Sequence, residues 1–106
     1  MSKPAPEPTT DPTDCTTMAE VRAGVDAVDR ALIDLLARRF GYMDAAARIK
    51  PERGAVRDEA RKAAVIAAAA ARAAALGLPE GAIAALWDRL VETSIAYEFD
   101  RFDERG

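Results

Sequence analysis

The chain has no histidine and only one cysteine, Cys15, in 106 residues. The familiar zinc-ligand sets and histidine-based triads are therefore excluded, and acid–base chemistry falls to carboxylates, lysine or tyrosine. A lone cysteine also excludes an internal disulfide. Strand signals are absent. No basic run offsets a balance of 15 Lys and Arg against 18 Asp and Glu, a net charge of −3. That argues against a general nucleic-acid binder, while a local cationic pocket for a small anion remains compatible with it. No stretch is apolar and long enough to span a bilayer, and the first residues carry no apolar h-region. The expectation is a protein without membrane association, in the cytoplasm.

What is present is helical. Four of the six prolines (Pro4, Pro6, Pro8, Pro12) stand in the first twelve residues among Thr, Asp and Glu. Residues 1–14 are therefore expected to be a disordered tail, followed by one helical domain over 15–102 and a short C-terminal tail over 103–106. The first helix is expected to start at Thr16 or Thr17, with Glu20 completing a capping box, and to run to Lys50, where Pro51 stops it. Residues 51–57 read as a short charged loop with Gly54 as its flexible point. Asp58 is the expected N-cap of a second helix that ends at Leu76, before Gly77. Leu78-Pro79-Glu80 opens a third, whose apolar face takes Ile83, Leu86, Trp87, Leu90, Val91, Ile95 and Phe99.

A first helix of about 34 residues is roughly 50 Å long, and a compact domain of this size is only about 34 Å across. Its apolar stripe (Met18, Val21, Val25, Val28, Leu32, Leu35) then needs a partner, and a second copy is the simplest one. The expected fold is all-α, with three helices per chain forming an intertwined homodimer.

The stripe's next step lands on Arg39, after which it resumes at Tyr42, Ala46 and Ile49. A charge in a packing seam costs several kcal/mol unless it is compensated. A buried acid on a partner helix, escape to water, or an anionic ligand would each serve. Lys50 lies eleven residues on, the same face of the helix and about 16 Å further along the axis. Arg22 lies about 26 Å before Arg39 and roughly 100° around the helix, out of reach of the same ligand within one chain. Antiparallel pairing of two such helices would bring it near. Ser94 and Glu98 are polar residues on the face of the third helix that should be buried. Arg61 sits on the first turn of the second helix, where free N–H groups favour an anion. Each has a plain structural alternative: Lys50 a C-terminal helix cation, Arg22 a solvated residue, Asp58 a cap, Ser94 and Glu98 a polar strip, Cys15 and Trp87 packing.

Together these residues resemble the small all-helical chorismate mutases and their relatives, the isochorismate pyruvate lyases. The matching motifs are Val21-Arg22-x-x-Val25-Asp26-x-x-Asp29, Leu35-Leu36-x-Arg38-Arg39, Lys50, Val56-Arg57-Asp58-x-x-Arg61, Gly77-Leu78-Pro79 and Ser94-x-x-x-Glu98. The resemblance implies an intertwined dimer with two shared sites. Arg22 of one subunit and Arg39 of the other would bind the carboxylates of chorismate. Lys50 would contact a carboxylate and the ether oxygen, and Glu98 would donate to that oxygen. Arg61 would support the pocket, with Asp58 and Ser94 near the ring hydroxyl. Lys50, Glu98 and Arg39 would thus be the catalytic residues of a pericyclic rearrangement of chorismate to prephenate, in aromatic amino-acid biosynthesis. That reaction needs no cofactor, metal, nucleophile or proton relay.

The chain differs from many bacterial relatives at two positions. Glu98 stands where they carry glutamine, and a carboxyl group donates a hydrogen bond only when protonated; greater activity at mildly acidic pH follows. Lys62 stands where a common bacterial form has a glutamate that binds the substrate hydroxyl, which points to weaker binding. Asp14-Cys15 and Arg39-x-x-Tyr42-x-x-Ala45-Ala46-x-Arg48-x-Lys50 look lyase-like, whereas Asp58 and Ser94 look mutase-like. The mutase is the expected activity. The lyase, or a non-catalytic helical dimerisation or regulatory domain, is the alternative.

Overall fold

A computed structural model describes residues 9–105, and residues 1–8 of the expected tail lie outside it. Three α-helices carry the chain: α1 (Met18–Ile49), α2 (Glu59–Ala75) and α3 (Glu80–Glu104). There is no strand among the described residues. No helix among them is long and apolar enough to cross a membrane. The chain divides into two compact units, one up to Arg39 and one from Phe40, with the boundary inside α1.

In the first unit a 3-10 turn over Pro12–Asp14 precedes α1. The expected capping box forms around Thr17. Its hydroxyl accepts from the Glu20 N–H at 3.2 Å, while Glu20 Oε1 accepts from the Thr17 N–H at 3.1 Å. Glu20 also takes the Thr16 N–H and the Thr10 hydroxyl, and these donors hold its carboxyl down at about 2, well below its ordinary 4.5. The apolar stripe is not buried within the chain: Val28 is 58 % exposed, Leu32 50 % and Leu35 61 %. Above its first turns runs an apolar groove lined by Pro12, Cys15, Val21, Val25 and Val28.

The second unit holds the last turns of α1, a 3-10 turn over Arg53–Ala55, and the α2–α3 hairpin. Asp58 caps α2 by accepting the Arg61 N–H at 2.9 Å. At the other end Gly77 takes φ +73°, and its N–H and that of Leu78 donate to the carbonyls of Ala74 and Ala73. This Schellman closure needs the left-handed backbone that glycine adopts without a Cβ clash. Pro79 stands just before α3 rather than in its first turn. α3 also continues to Glu104, past the boundary expected at 102.

The core of this unit is Val56, Val91 and Ile95, flanked by Val65, Ile66, Phe99 and Phe102. Val56 comes from the segment read as a flexible charged loop, so that segment is anchored from inside. It is anchored from outside as well. Arg57 donates two hydrogen bonds to Glu92, at 2.9 and 3.1 Å, and Arg53 donates two to Asp103, at 2.9 and 3.3 Å. Of the face expected for α3, Val91 and Ile95 are buried and Trp87, Leu90 and Phe99 half-buried, whereas Leu86 is exposed. In the run of five alanines over residues 67–71 of α2, Ala69 and Ala70 are half-buried, while Ala67, Ala68 and Ala71 are exposed.

Candidate active site

Two buried polar residues stand one turn apart on α3, in the row that continues from Val91: Ser94 and Glu98, 3 % and 4 % exposed. Glu98 Oε2 accepts a hydrogen bond from Lys50 Nζ at 2.7 Å, and the same amine reaches the Val56 carbonyl at 3.4 Å. Lys50 lies just past the last residue of α1, and Pro51 turns the chain away there. A carboxylate withdrawn this far from water requires a countercharge, and the ammonium supplies it. Lys50 keeps part of its side chain open to solvent. The pair thus joins a buried acceptor to an accessible cation, an arrangement able to present an ammonium to an incoming anion.

The remaining residues singled out from the sequence are placed as follows. The Ser94 hydroxyl donates to the Leu90 carbonyl at 2.7 Å. Asp58 is exposed and serves as the cap of α2, while Arg61 is exposed on the first turn of that helix. The described structure brings Lys50 and Glu98 into contact in the second unit. Arg22 and Arg39 belong to the first unit, where Arg22 is exposed and Arg39 half-buried.

Lys62 does not stand alone at its position. Its ammonium pairs with Glu92 at 2.9 Å and Asp88 at 3.1 Å, which raises its pKa above the ordinary lysine value. Glu92, held by Arg57 first and Lys62 second, is lowered to about 2. Sequence reading missed this network, although Lys62, Asp88 and Glu92 were all visible as charges. It also missed Arg105, whose guanidinium donates to the carbonyls of Ala47 and Lys50 at 3.0 and 2.6 Å. A third cluster went unread, in which the Tyr97 hydroxyl donates to Asp44 at 2.8 Å and Arg101 donates to that hydroxyl at 3.1 Å.

A three-helix chain with a lysine at the end of its first helix and a buried glutamate on its third is the class these observations define. The Chorismate mutase type II family matches residues 21–99, and the chain belongs to that family. It is also similar to the isochorismate pyruvate lyase of Pseudomonas aeruginosa. The two are 32 % identical over 85 residues, which cover 80 % of this chain and 84 % of that protein. Lys50, Asp58, Arg61, Ser94 and Glu98 all fall inside the family match, as do Arg22 and Arg39.

Proposed function

We propose that this protein is a chorismate mutase, converting chorismate to prephenate. The observation that carries the proposal is the Lys50–Glu98 pair at 2.7 Å, one partner buried and the other partly open to solvent, within the matched region. In the rearrangement the ether C–O bond breaks as a new C–C bond forms, and no proton changes place. The protein's task is to hold the folded conformer, an entropic contribution, and to set fixed donors where charge develops on the ether oxygen. Lys50 is the donor, contacting that oxygen and a carboxylate. Glu98 is a second donor in its protonated form and otherwise fixes the Lys50 ammonium. Arg61 supports the pocket, with Asp58 and Ser94 near the ring hydroxyl. The choice of chorismate rests on Asp58 and Ser94, which look mutase-like.

The site is completed in a homodimer, Arg22 from one subunit and Arg39 from the other taking the substrate carboxylates. The exposed stripe on α1 supports this, since an apolar row about half open to water is the kind of surface a second copy covers.

One observation favours a second reading. The Pseudomonas aeruginosa relative is an isochorismate pyruvate lyase, and Asp14-Cys15 and the Arg39–Lys50 pattern look lyase-like. The two readings separate by product. The purified protein is incubated with chorismate and with isochorismate, and prephenate and salicylate are followed. Prephenate from chorismate is expected. Salicylate from isochorismate with no prephenate from chorismate would establish the lyase instead. Neither product would leave a helical dimerisation domain.

A further inference from the structure

We propose that Arg105, at the end of α3, is a positioning residue for Lys50. One guanidinium nitrogen donates to the Ala47 carbonyl at 3.0 Å and the Lys50 carbonyl at 2.6 Å, and the other reaches the Pro51 carbonyl at 3.4 Å. The end of a helix leaves carbonyls without intrahelical partners, and a cation there both satisfies them and complements the helix dipole. Here the carbonyls belong to the last turn of α1 and to Lys50 itself, so the fork fixes the backbone from which the Lys50 side chain departs. Seven residues earlier on the same helix, Glu98 takes the other end of that side chain. α3 therefore grips Lys50 twice, by its carbonyl and by its ammonium.

The grip is itself braced. The Arg105 guanidinium lies 3.7 Å from the centre of the Phe102 ring. Arg53, in the following turn, is forked on Asp103 and lies over Phe99. The last two turns of α3 thus hold the chain on both sides of Pro51. A displacement of about 1 Å at a reacting group costs up to a hundredfold in rate, so backbone placement here bears on the chemistry.

The proposal rests on Lys50 being catalytic, and its test separates the two ideas. Arg105→Gln removes the fork and the charge; Arg105→Lys keeps the charge and one donor nitrogen. With the substrate that the unmodified protein turns over, Arg105→Gln is expected to lower kcat at least about tenfold and to leave KM within about threefold. Arg105→Lys should recover part of the loss. The exchange rates of the Ile49 and Lys50 amides should rise in Arg105→Gln. An unchanged kcat, or a loss confined to KM, would overturn the proposal. So would a loss in Arg105→Lys equal to that in Arg105→Gln. An unmodified protein that converts neither substrate defeats the reading of Lys50 as catalytic. The grip is then judged on exchange alone, faster exchange in Arg105→Gln upholding it and unchanged exchange overturning it.

Discussion

Lys50 and Glu98 compensate each other before any substrate arrives. Glu98 is almost wholly buried and has the Lys50 ammonium at 2.7 Å. An ionised carboxylate accepts hydrogen bonds and cannot donate one to an ether oxygen, whereas an amide donates at every pH. Glu98→Gln, which places a permanent donor there, is therefore expected to raise kcat/KM. An unchanged or lower kcat/KM in Glu98→Gln would show that a donor at this position does not serve the ether oxygen. The Glu92 carboxyl makes a separate prediction, about stability. Arg57 and Lys62 lower it to about 2 from an ordinary 4.5, so the network stabilises the fold above that ordinary value and loses its effect as the pH falls toward 2. Glu92→Gln should lower Tm at pH 7, with the difference closing near pH 2. An equal Tm for both proteins at pH 7 would mean that this surface network contributes nothing measurable, as many do.

At the scale of the element, the helix ends were legible because their signals are local. Thr17 with Glu20, Asp58 with the Arg61 N–H, and Gly77 with its left-handed φ each act within a few residues of their own position. What sequence could not supply was contact across long separations. The Lys50–Glu98 bond spans 48 residues and the Arg105–Ala47 bond spans 58. Lys50 and Glu98 were singled out one by one, through helical phase and family resemblance. Their bond to each other, and the grip of Arg105 on the end of α1, needed the packing of α3 to become visible. Val56 shows the same limit from the apolar side. In a run of charges and a glycine it read as loop, yet it is 3 % exposed and part of the core. Val56→Ala should therefore cost about 1–3 kcal/mol in denaturant unfolding. A cost within error of zero would mean that the 51–57 segment is not anchored through its core residue.

At the scale of the whole molecule, the stripe on α1 leaves Val28, Leu32 and Leu35 each at least half exposed in the single chain. Our proposal covers it with a second copy. Leu32→Glu should then convert a species of twice the chain mass in sedimentation into one of single mass; an unmodified protein already monomeric would refute the dimer. Sharing of the site predicts subunit complementation. Arg22→Ala and Lys50→Ala are each inactive, but random reassortment makes half the dimers mixed, each with one intact site, so about a quarter of the activity should return. The claim that matters most is the reaction itself. The most direct measurement is kcat/KM for chorismate and for isochorismate on one preparation, with Lys50→Ala alongside. The account predicts the higher value for chorismate, with prephenate as product and the Lys50→Ala rate indistinguishable from the uncatalysed one. A higher value for isochorismate, or a Lys50→Ala variant as fast as the unmodified protein, would contradict it.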